Sequence, residues 1–399
     1  MLSVHDALQI TQTHLLDLPD EMVSLEEAVG RVLRQPLTAD RDVPPFNRVT
    51  MDGIAFRYDA FAGGARQFRV LGAQFAGQAA GTLTDPTACM EVMTGAVLPL
   101  GTDTVVRYED VQIEQGMATI QVDEVQPGQN IHPQGNDRPA GDVLLREGTL
   151  MRSVDVAVAA SVGAAKVSVA ALPRVAIIAT GDELVGVDQT PAPHQIRHSN
   201  IYMIRAALRA LGIRAMLHHL PDDREVLKIG LQNLLEQNDV FILSGGVSAG
   251  KADFVPATLT ELGVQCHFHK VEQRPGKPLW FGTTEGDRQV VFGLPGNPVS
   301  TVMCTYKYVL PYLRAAMGQT APQPVYAQLA EPFVFRPALT YFLPVRLHYA
   351  PDGRLLAHPL PGSGSGDFTN LTGADAFLEL PADQTAFAEG EALPVVSAW

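Results

Sequence analysis

The sequence predicts a multidomain fold, α/β plus β: a doubly wound, mostly parallel α/β domain, a small β-rich domain, a helical or extended connecting domain and a C-terminal β-barrel. Three observations predict it. Past residue 173, apolar strand-like runs alternate with amphipathic helical stretches, the pattern of a parallel sheet covered on both faces. Before residue 146 and after residue 324, short β-favouring runs are broken by Gly- and Pro-rich turns. The chain has 399 residues, more than one ordinary core holds, so several domains are expected.

Each element follows in order. Ser3 and Asp6 mark a helix start, and Val4, Ala7, Leu8 and Leu15 continue at helical spacing. Ser24 with Glu27 has the capping-box pattern of a second short helix. Residues 37–145 form the β-rich domain, with strands predicted at Phe68-Arg69-Val70-Leu71, Thr104-Val105-Val106-Arg107-Tyr108 and Ala118-Thr119-Ile120-Gln121-Val122. Residues 154–164 read as a helix of small residues, so 1–36 and 146–172 together make the connecting domain. The α/β domain spans 173–316. Its predicted strands lie at 175–179, 214–220, 240–243, 264–268 and 290–292, and its helices at 200–211, 223–237, 254–262 and 298–315. A linker over 317–324 leads to the barrel domain, 324–399.

Composition narrows the function. The formal charge of −14 argues against nucleic-acid binding, which needs a broad basic face. Cys89, Cys266 and Cys304 are widely spaced and form no CxxC, as expected of reduced, buried thiols in a cytoplasmic protein. The first residues lack the basic and apolar blocks of a signal peptide. The small-apolar stretch 154–169 is interrupted by Asp155, Ser161, Gly163 and Lys166, so no membrane span is expected.

The chemistry concentrates in three loops that follow apolar runs. They are Ser244-Gly245-Gly246-Val247-Ser248-Ala249-Gly250-Lys251-Ala252-Asp253, Arg274-Pro275-Gly276-Lys277-Pro278, and Gly293-Leu294-Pro295-Gly296-Asn297-Pro298-Val299-Ser300. Such loops let backbone N–H groups approach an anion closely, and a phosphate-bearing small molecule is the natural ligand. The first lacks Walker A spacing. Lys270 and Arg274 would lie on one face of an extended segment, with Lys277 beside them on its turn. Thr180-Gly181-Asp182-Glu183 closes the first α/β strand with two carboxylates that suit a metal or a water. Met51-Asp52-Gly53, Thr94-Gly95-Ala96 and Asn136-Asp137-Arg138 are ordinary turns when taken singly. Asp52, Asp137, Asp182, Glu183, Asp222, Asp223 and Asp253 outnumber soft ligands, which favours Mg²⁺ over zinc. His267 and His269 alternate on one strand face, but no further pair has zinc spacing.

Taken together and in this order, these motifs resemble the molybdopterin molybdenumtransferase family, whose animal relative is the E domain of gephyrin. The resemblance covers essentially the whole chain, from Pro44-Pro45-Phe46 and Met51-Asp52-Gly53, through Asp103-Thr104-Val105-Val106 and Gly128-Gln129-Asn130, to Leu294-Pro295-Gly296-Asn297-Pro298. It implies an elongated homodimer that inserts molybdate into adenylylated molybdopterin, with Mg²⁺-dependent cleavage of the adenylate to AMP. It also implies other molybdenum-cofactor proteins as partners. Glu183 and Asp253 match the acids expected at the metal, as does one of Asp222 and Asp223; Asp52 and Asp137 match acids brought from the other subunit. Thr94, Thr180, Gly181, Asp182, Ser244, Gly245, Gly246, Ser248, Gly250, Lys270, Arg274, Lys277, Pro295, Gly296, Asn297, Pro298 and Ser300 are then the expected substrate contacts.

The chain departs from the family pattern at several positions. Val49-Thr50 stand where Ser-Ala is usual, Ile54 where Tyr is common, and Arg274 where lysine is frequent. Leu339 and Pro344 occupy usual arginine positions, leaving Ser365 as the anion contact expected from the C-terminal domain. Two other readings compete: a molybdopterin adenylyltransferase or pyridine-nucleotide amidase on the same α/β domain, and a non-catalytic scaffold. The full-length resemblance opposes the first, and the retained acids and lysines oppose the second.

Overall fold

The computed structural model describes residues 1–247, 254–360, 362, 364 and 366–396. Ser248, Gly250, Asp253 and Ser365 therefore lie outside the described residues.

The apolar run Val175–Thr180 (β1) is buried along its whole length, which a strand can be only when both sheet faces are covered. Its alternate residues divide accordingly. Ile177 and Ala179 join a core with Ile201, Ile204 and Leu208, whereas Ala176 and Ile178 join one with Leu227, Leu231 and Leu259. The other strands are β2 (Ala215–Leu220), β3 (Val240–Ser244), β4 (Gln265–His269), β5 (Trp280–Thr283) and β6 (Val290–Leu294). Their order is β2-β1-β3-β6-β5-β4. The first four are parallel, and β5 pairs antiparallel with both β6 and β4. Helices Asn200–Arg209 and Arg224–Leu235 connect β1 to β2 and β2 to β3, and Val255–Glu261 leads from β3 to β4.

The expected final helix over 298–315 is interrupted. Pro298–Cys304 is α-helical, Thr305–Val309 forms a π turn, and Leu310–Ala316 resumes the α-helix. Pro311 has no N–H to donate and crowds the carbonyl four residues earlier, so the ladder widens before it.

Past the linker a β-barrel closes. Thr340–Tyr349 pairs with both Leu355–Pro359 and Ala376–Leu380, and Tyr326–Leu329 and Ala392–Val396 complete the circuit. The short strand Gln273–Arg274 adds parallel to Thr340 and Tyr341, joining the α/β domain to the barrel by backbone hydrogen bonds.

The chain divides into two compact units. One comprises Met1–Gln35, Glu147–Ser153 and Lys166–Trp399; the other comprises Pro36–Arg146 and Val154–Ala165. The second unit has a six-stranded sheet in the order Thr104–Arg107, Gly53–Phe56, Ala88–Val92, Gln67–Gln74, Met117–Ile120, Val111–Glu114. Its core holds Ile54, Phe56, Phe61, Phe68 and Val106.

Three local expectations are corrected. Ser24 ends a strand paired with Lys166–Ala170, so Leu25–Glu27 is a single 3₁₀ turn rather than a helix, although Ser24 Oγ does donate to Glu27 at 3.1 Å. Strand β5 was not expected, because Pro278 precedes it and Gly282, a poor strand former, breaks the run. Cys266 is exposed on edge strand β4, while Cys89 and Cys304 are buried. No helix among the described residues is long and apolar enough to cross a membrane.

Candidate functional site

Strands β1, β3 and β6 are adjacent and parallel, so the loops at their carboxyl ends open on the same edge of the sheet. Thr180-Gly181, Ser244-Gly245-Gly246 and Pro295-Gly296-Asn297 meet there around a cleft of about 470 Å³. Short bonds hold the three loops together. Gly245 N donates to Leu294 O at 3.1 Å, and Thr301 Oγ1 donates to Pro295 O at 2.7 Å. Asn200 Nδ2 donates to both Ser244 Oγ (2.9 Å) and Gly296 O (2.8 Å). Gly246 is required twice over: its φ is +68°, and a Cβ there would come within 2.7 Å of both Thr180 Oγ1 and Val255 Cγ2.

This end of the cleft carries the acids. Glu183 and Asp222 line it. Asp223 instead caps the helix Arg224–Leu235, accepting from Glu225 N and Val226 N at 3.0 Å, so the structure separates the two neighbouring aspartates. Asp182 accepts from Asp222 N at 3.2 Å and buttresses that turn without lining the cleft. Two further polar atoms lining this space, Thr180 Oγ1 and His198 Nδ1, are buried without a hydrogen-bond partner. Buried polar atoms are nearly always paired, so these two stand out as unsatisfied groups under the loops, reachable by a ligand only if the loops shift. Burial, and then the nearby His219 ring 4.9 Å away, hold the His198 pKa below its ordinary value. His219 Nε2 donates to Gly181 O at 2.9 Å.

Pro278, Pro295 and Asn297 also line a second space of about 310 Å³, so the two spaces adjoin at these residues, the neck between them. Arg274, Lys277 and Ser300 face this end. Leu339, Tyr341, Phe342 and Pro344 give it an apolar wall from the barrel. Buried Gln273 supports the cationic turn. Its Nε2 donates to Gly276 O at 3.0 Å, and its Oε1 accepts from the Tyr308 hydroxyl. A Cβ on Gly276 would lie 2.7 Å from Cys304 Sγ and Met303 Cε, so this turn is seated directly on the last helix. Lys270 is half-buried at φ +80° and lines neither space. The extended geometry that would align it with Arg274 is therefore not formed.

In the second unit, Asp52 and Thr94 meet. Thr94 donates to Asp52 Oδ1 from its N (2.6 Å) and its Oγ1 (2.7 Å), which lowers the Asp52 pKa from the ordinary carboxylate value. Asp137 Oδ1 lies 2.9 Å from His132 Nε2, and His132 Nδ1 is 3.1 Å from Arg48.

The cleft's donor chemistry fits Mg²⁺. Glu183 and Asp222 offer hard oxygen ligands beside glycine loops suited to phosphate, and a magnesium ion takes one or two carboxylates plus phosphate oxygens. His267 and His269 do not converge: His267 Nε2 pairs with Thr283 Oγ1 (2.7 Å) and His269 Nε2 with Val247 O (2.9 Å).

Asn200, His198 and Gln273 were not singled out by sequence. Asn200 and His198 sit in the tripeptide His198-Ser199-Asn200 at the start of a helix, a polar cluster that carried the signal. Gln273 carried none beyond its place before Arg274-Pro275.

Comparison with known proteins covers nearly the whole chain. Family models match at residues 2–163 (MoeA N-terminal region, domain I and II), 176–315 (probable molybdopterin binding domain) and 326–397 (MoeA C-terminal region, domain IV). The molybdopterin molybdenumtransferase of Synechocystis is 41% identical over 396 residues, covering 99% of both chains. That of Bacillus subtilis is 32% identical, covering 94% of this chain and 89% of the relative. The solved structure of a Pyrococcus horikoshii molybdopterin biosynthesis MoeA protein superposes over 100% of both chains, with a TM-score of 0.85 and 30% identity.

Proposed function

Because the chain belongs to the molybdopterin molybdenumtransferase family, we propose that it inserts molybdate into adenylylated molybdopterin and releases molybdenum cofactor and AMP. One observation carries the site assignment: the glycine-rich loops line two adjoining spaces, with Glu183, Asp222 and Arg197 in one and Arg274, Lys277 and Asp367 in the other. A ligand joining a phosphoanhydride to a molybdate-accepting dithiolene is anionic at both ends, so the anhydride beside Glu183 and Asp222 would need Mg²⁺ between them.

The protein's own groups then have distinct tasks. The Gly246 backbone N–H and the Ser244 and Thr180 hydroxyls orient the phosphoanhydride. Glu183 and Asp222 hold Mg²⁺, with Asp253 as a third acid; when bound, the ion supplies charge neutralisation at the phosphate oxygens. Glu183 also orients the water that cleaves the anhydride. Arg274 and Lys277, with Ser300, neutralise molybdate at the other end, while Pro295, Gly296, Asn297 and Pro298 shape the neck. Ser248, Gly250 and Ser365 complete the proposed contacts. Asp52, Thr94 and Asp137 act in the reading of a homodimer whose other subunit supplies them. A cytoplasmic location and contact with other molybdenum-cofactor proteins belong to the same reading.

The test is direct. Purified protein is mixed with adenylylated molybdopterin, molybdate and Mg²⁺, and AMP is assayed. AMP release that needs molybdate and stops on chelation is expected. Formation of adenylylated molybdopterin from ATP would instead mark an adenylyltransferase, and binding without turnover would mark a scaffold.

A further inference from the structure

Away from the cleft, three side chains from distant parts of the chain converge. His14 follows the helix Val4–Thr13, His267 lies on edge strand β4, and Asp287 ends the turn Glu285–Asp287 between β5 and β6. One donor atom from each lies within 4.8 Å of the other two, the only such group among the described residues. We infer that His14, His267 and Asp287 form a site for a zinc-class divalent cation, distinct from the Mg²⁺ site of the cleft.

Four features support a built site. His14 Nδ1 is 3.0 and 3.1 Å from the two Asp287 carboxylate oxygens, a hydrogen-bonded pair that needs to open by only a few tenths of an ångström to flank a tetrahedral ion with bonds of roughly 2.0–2.2 Å. The two imidazoles are stacked, with ring centroids 3.7 Å apart and planes 23° apart, which keeps a nitrogen of each within bridging range, and one ring turns out of the stack to aim its lone pair at the ion. The supports are fixed. Thr283 Oγ1 engages His267 Nε2 at 2.7 Å, which leaves Nδ1 as its ligating atom. The His14 backbone is anchored by the Tyr312 hydroxyl, which donates to His14 O (2.9 Å) and accepts from Leu16 N (3.0 Å). Finally, His14 and Asp287 are 28% and 31% exposed, which leaves room for water as a further ligand.

The ligand set decides the class of ion. Two imidazoles and one carboxylate suit zinc and its first-row neighbours, whereas magnesium takes oxygens. None of the three residues lines the cleft, so the site's consequence is mechanical. An ion here would fasten the end of the N-terminal helix to the outer strands of the sheet, and binding to the folded state alone raises stability.

The experiment titrates full-length protein, in excess Mg²⁺, with Co²⁺ followed by visible absorption and with Zn²⁺ followed by calorimetry. One equivalent of Co²⁺ should give a four- or five-coordinate ligand-field spectrum that Zn²⁺ abolishes. His14→Gln, His267→Gln and Asp287→Asn should each weaken Zn²⁺ at least tenfold, and Zn²⁺ should raise the melting temperature of wild type alone. Asp287→Asn keeps a hydrogen-bond acceptor for His14, so it reports on the ion if a histidine variant fails to fold. Unchanged Zn²⁺ affinity in Asp287→Asn and in a folded His14→Gln/His267→Gln protein would overturn the assignment. So would loss of the signal in His198→Gln instead, or no stoichiometric binding at all.

Discussion

The two ends of the cleft are made in opposite ways. At the acidic end the backbone is the scaffold: strand ends and glycine turns are cross-tied by Asn200, and two buried polar atoms, Thr180 Oγ1 and His198 Nδ1, are left unpaired. At the basic end the inner surface of the turn is saturated. Gln273 uses its amide on Gly276 and Tyr308, the barrel wall is apolar, and charge comes from Arg274 and Lys277 on the rim. One end is prepared to give directed hydrogen bonds, the other to give charge with little direction. That division suits an anhydride whose geometry must be fixed and an oxyanion whose charge must be balanced.

Substitutions should separate the ends. Glu183→Gln is expected to cut AMP release about 10³-fold with little change in melting temperature, in the range for losing a carboxylate that acts on the reacting groups. Full activity in that variant would remove the acidic end from the chemistry. Lys277→Ala should act on KM before kcat. A charge-assisted contact contributes about 1.5–3 kcal/mol, so KM should rise on the order of 10- to 100-fold, and less at high salt. A larger effect on kcat than on KM would erase the proposed division.

Two variants probe the scaffolds. Gln273→Leu strands the Tyr308 hydroxyl and Gly276 carbonyl in a buried site, and should cost about 1–3 kcal/mol for each unpaired group in denaturant unfolding. Gly246→Ala forces a side chain into the left-handed region, at about 1–2 kcal/mol, and against Thr180. It should lose activity as well as stability, since it disturbs the ligand-facing end.

The smallest effect is on pH. His198 has a lowered pKa, so the folded state binds fewer protons there than the unfolded chain. Its contribution is complete above the unfolded value, roughly 6.5, and is lost as pH falls through the lower folded value. His198→Gln should flatten that acid-side decline, measured by thermal melting across pH 4–8, and an unchanged profile would place the titration elsewhere.

Legibility in the sequence followed the range of the interaction. The runs Val175–Thr180, Val240–Ser244 and Val290–Leu294 announce buried strands because every residue is apolar or small, and the loops after them follow from chain order. The barrel's short runs were legible as strands, but its closure through Thr340–Tyr349 depends on pairing across dozens of residues. Asn200 and Gln273 were invisible as keystones because their partners lie 96 and 35 residues away. Lys270 misled for a local reason: charge spacing assumes an extended backbone, and its φ is +80°. His14 and His267 lie too far apart in sequence for any ligand-spacing rule to join them.

The central claim is that one molecule spans both ends through the neck at Pro278, Pro295 and Asn297. A crystal structure of Glu183→Gln with adenylylated molybdopterin and Mg²⁺ tests it most directly. The account predicts continuous ligand density, with the phosphoanhydride beside residues 244–246 and the pterin dithiolene beside Lys277. Density confined to a surface outside this cleft, or with the anhydride on the Arg274–Lys277 turn, would contradict it.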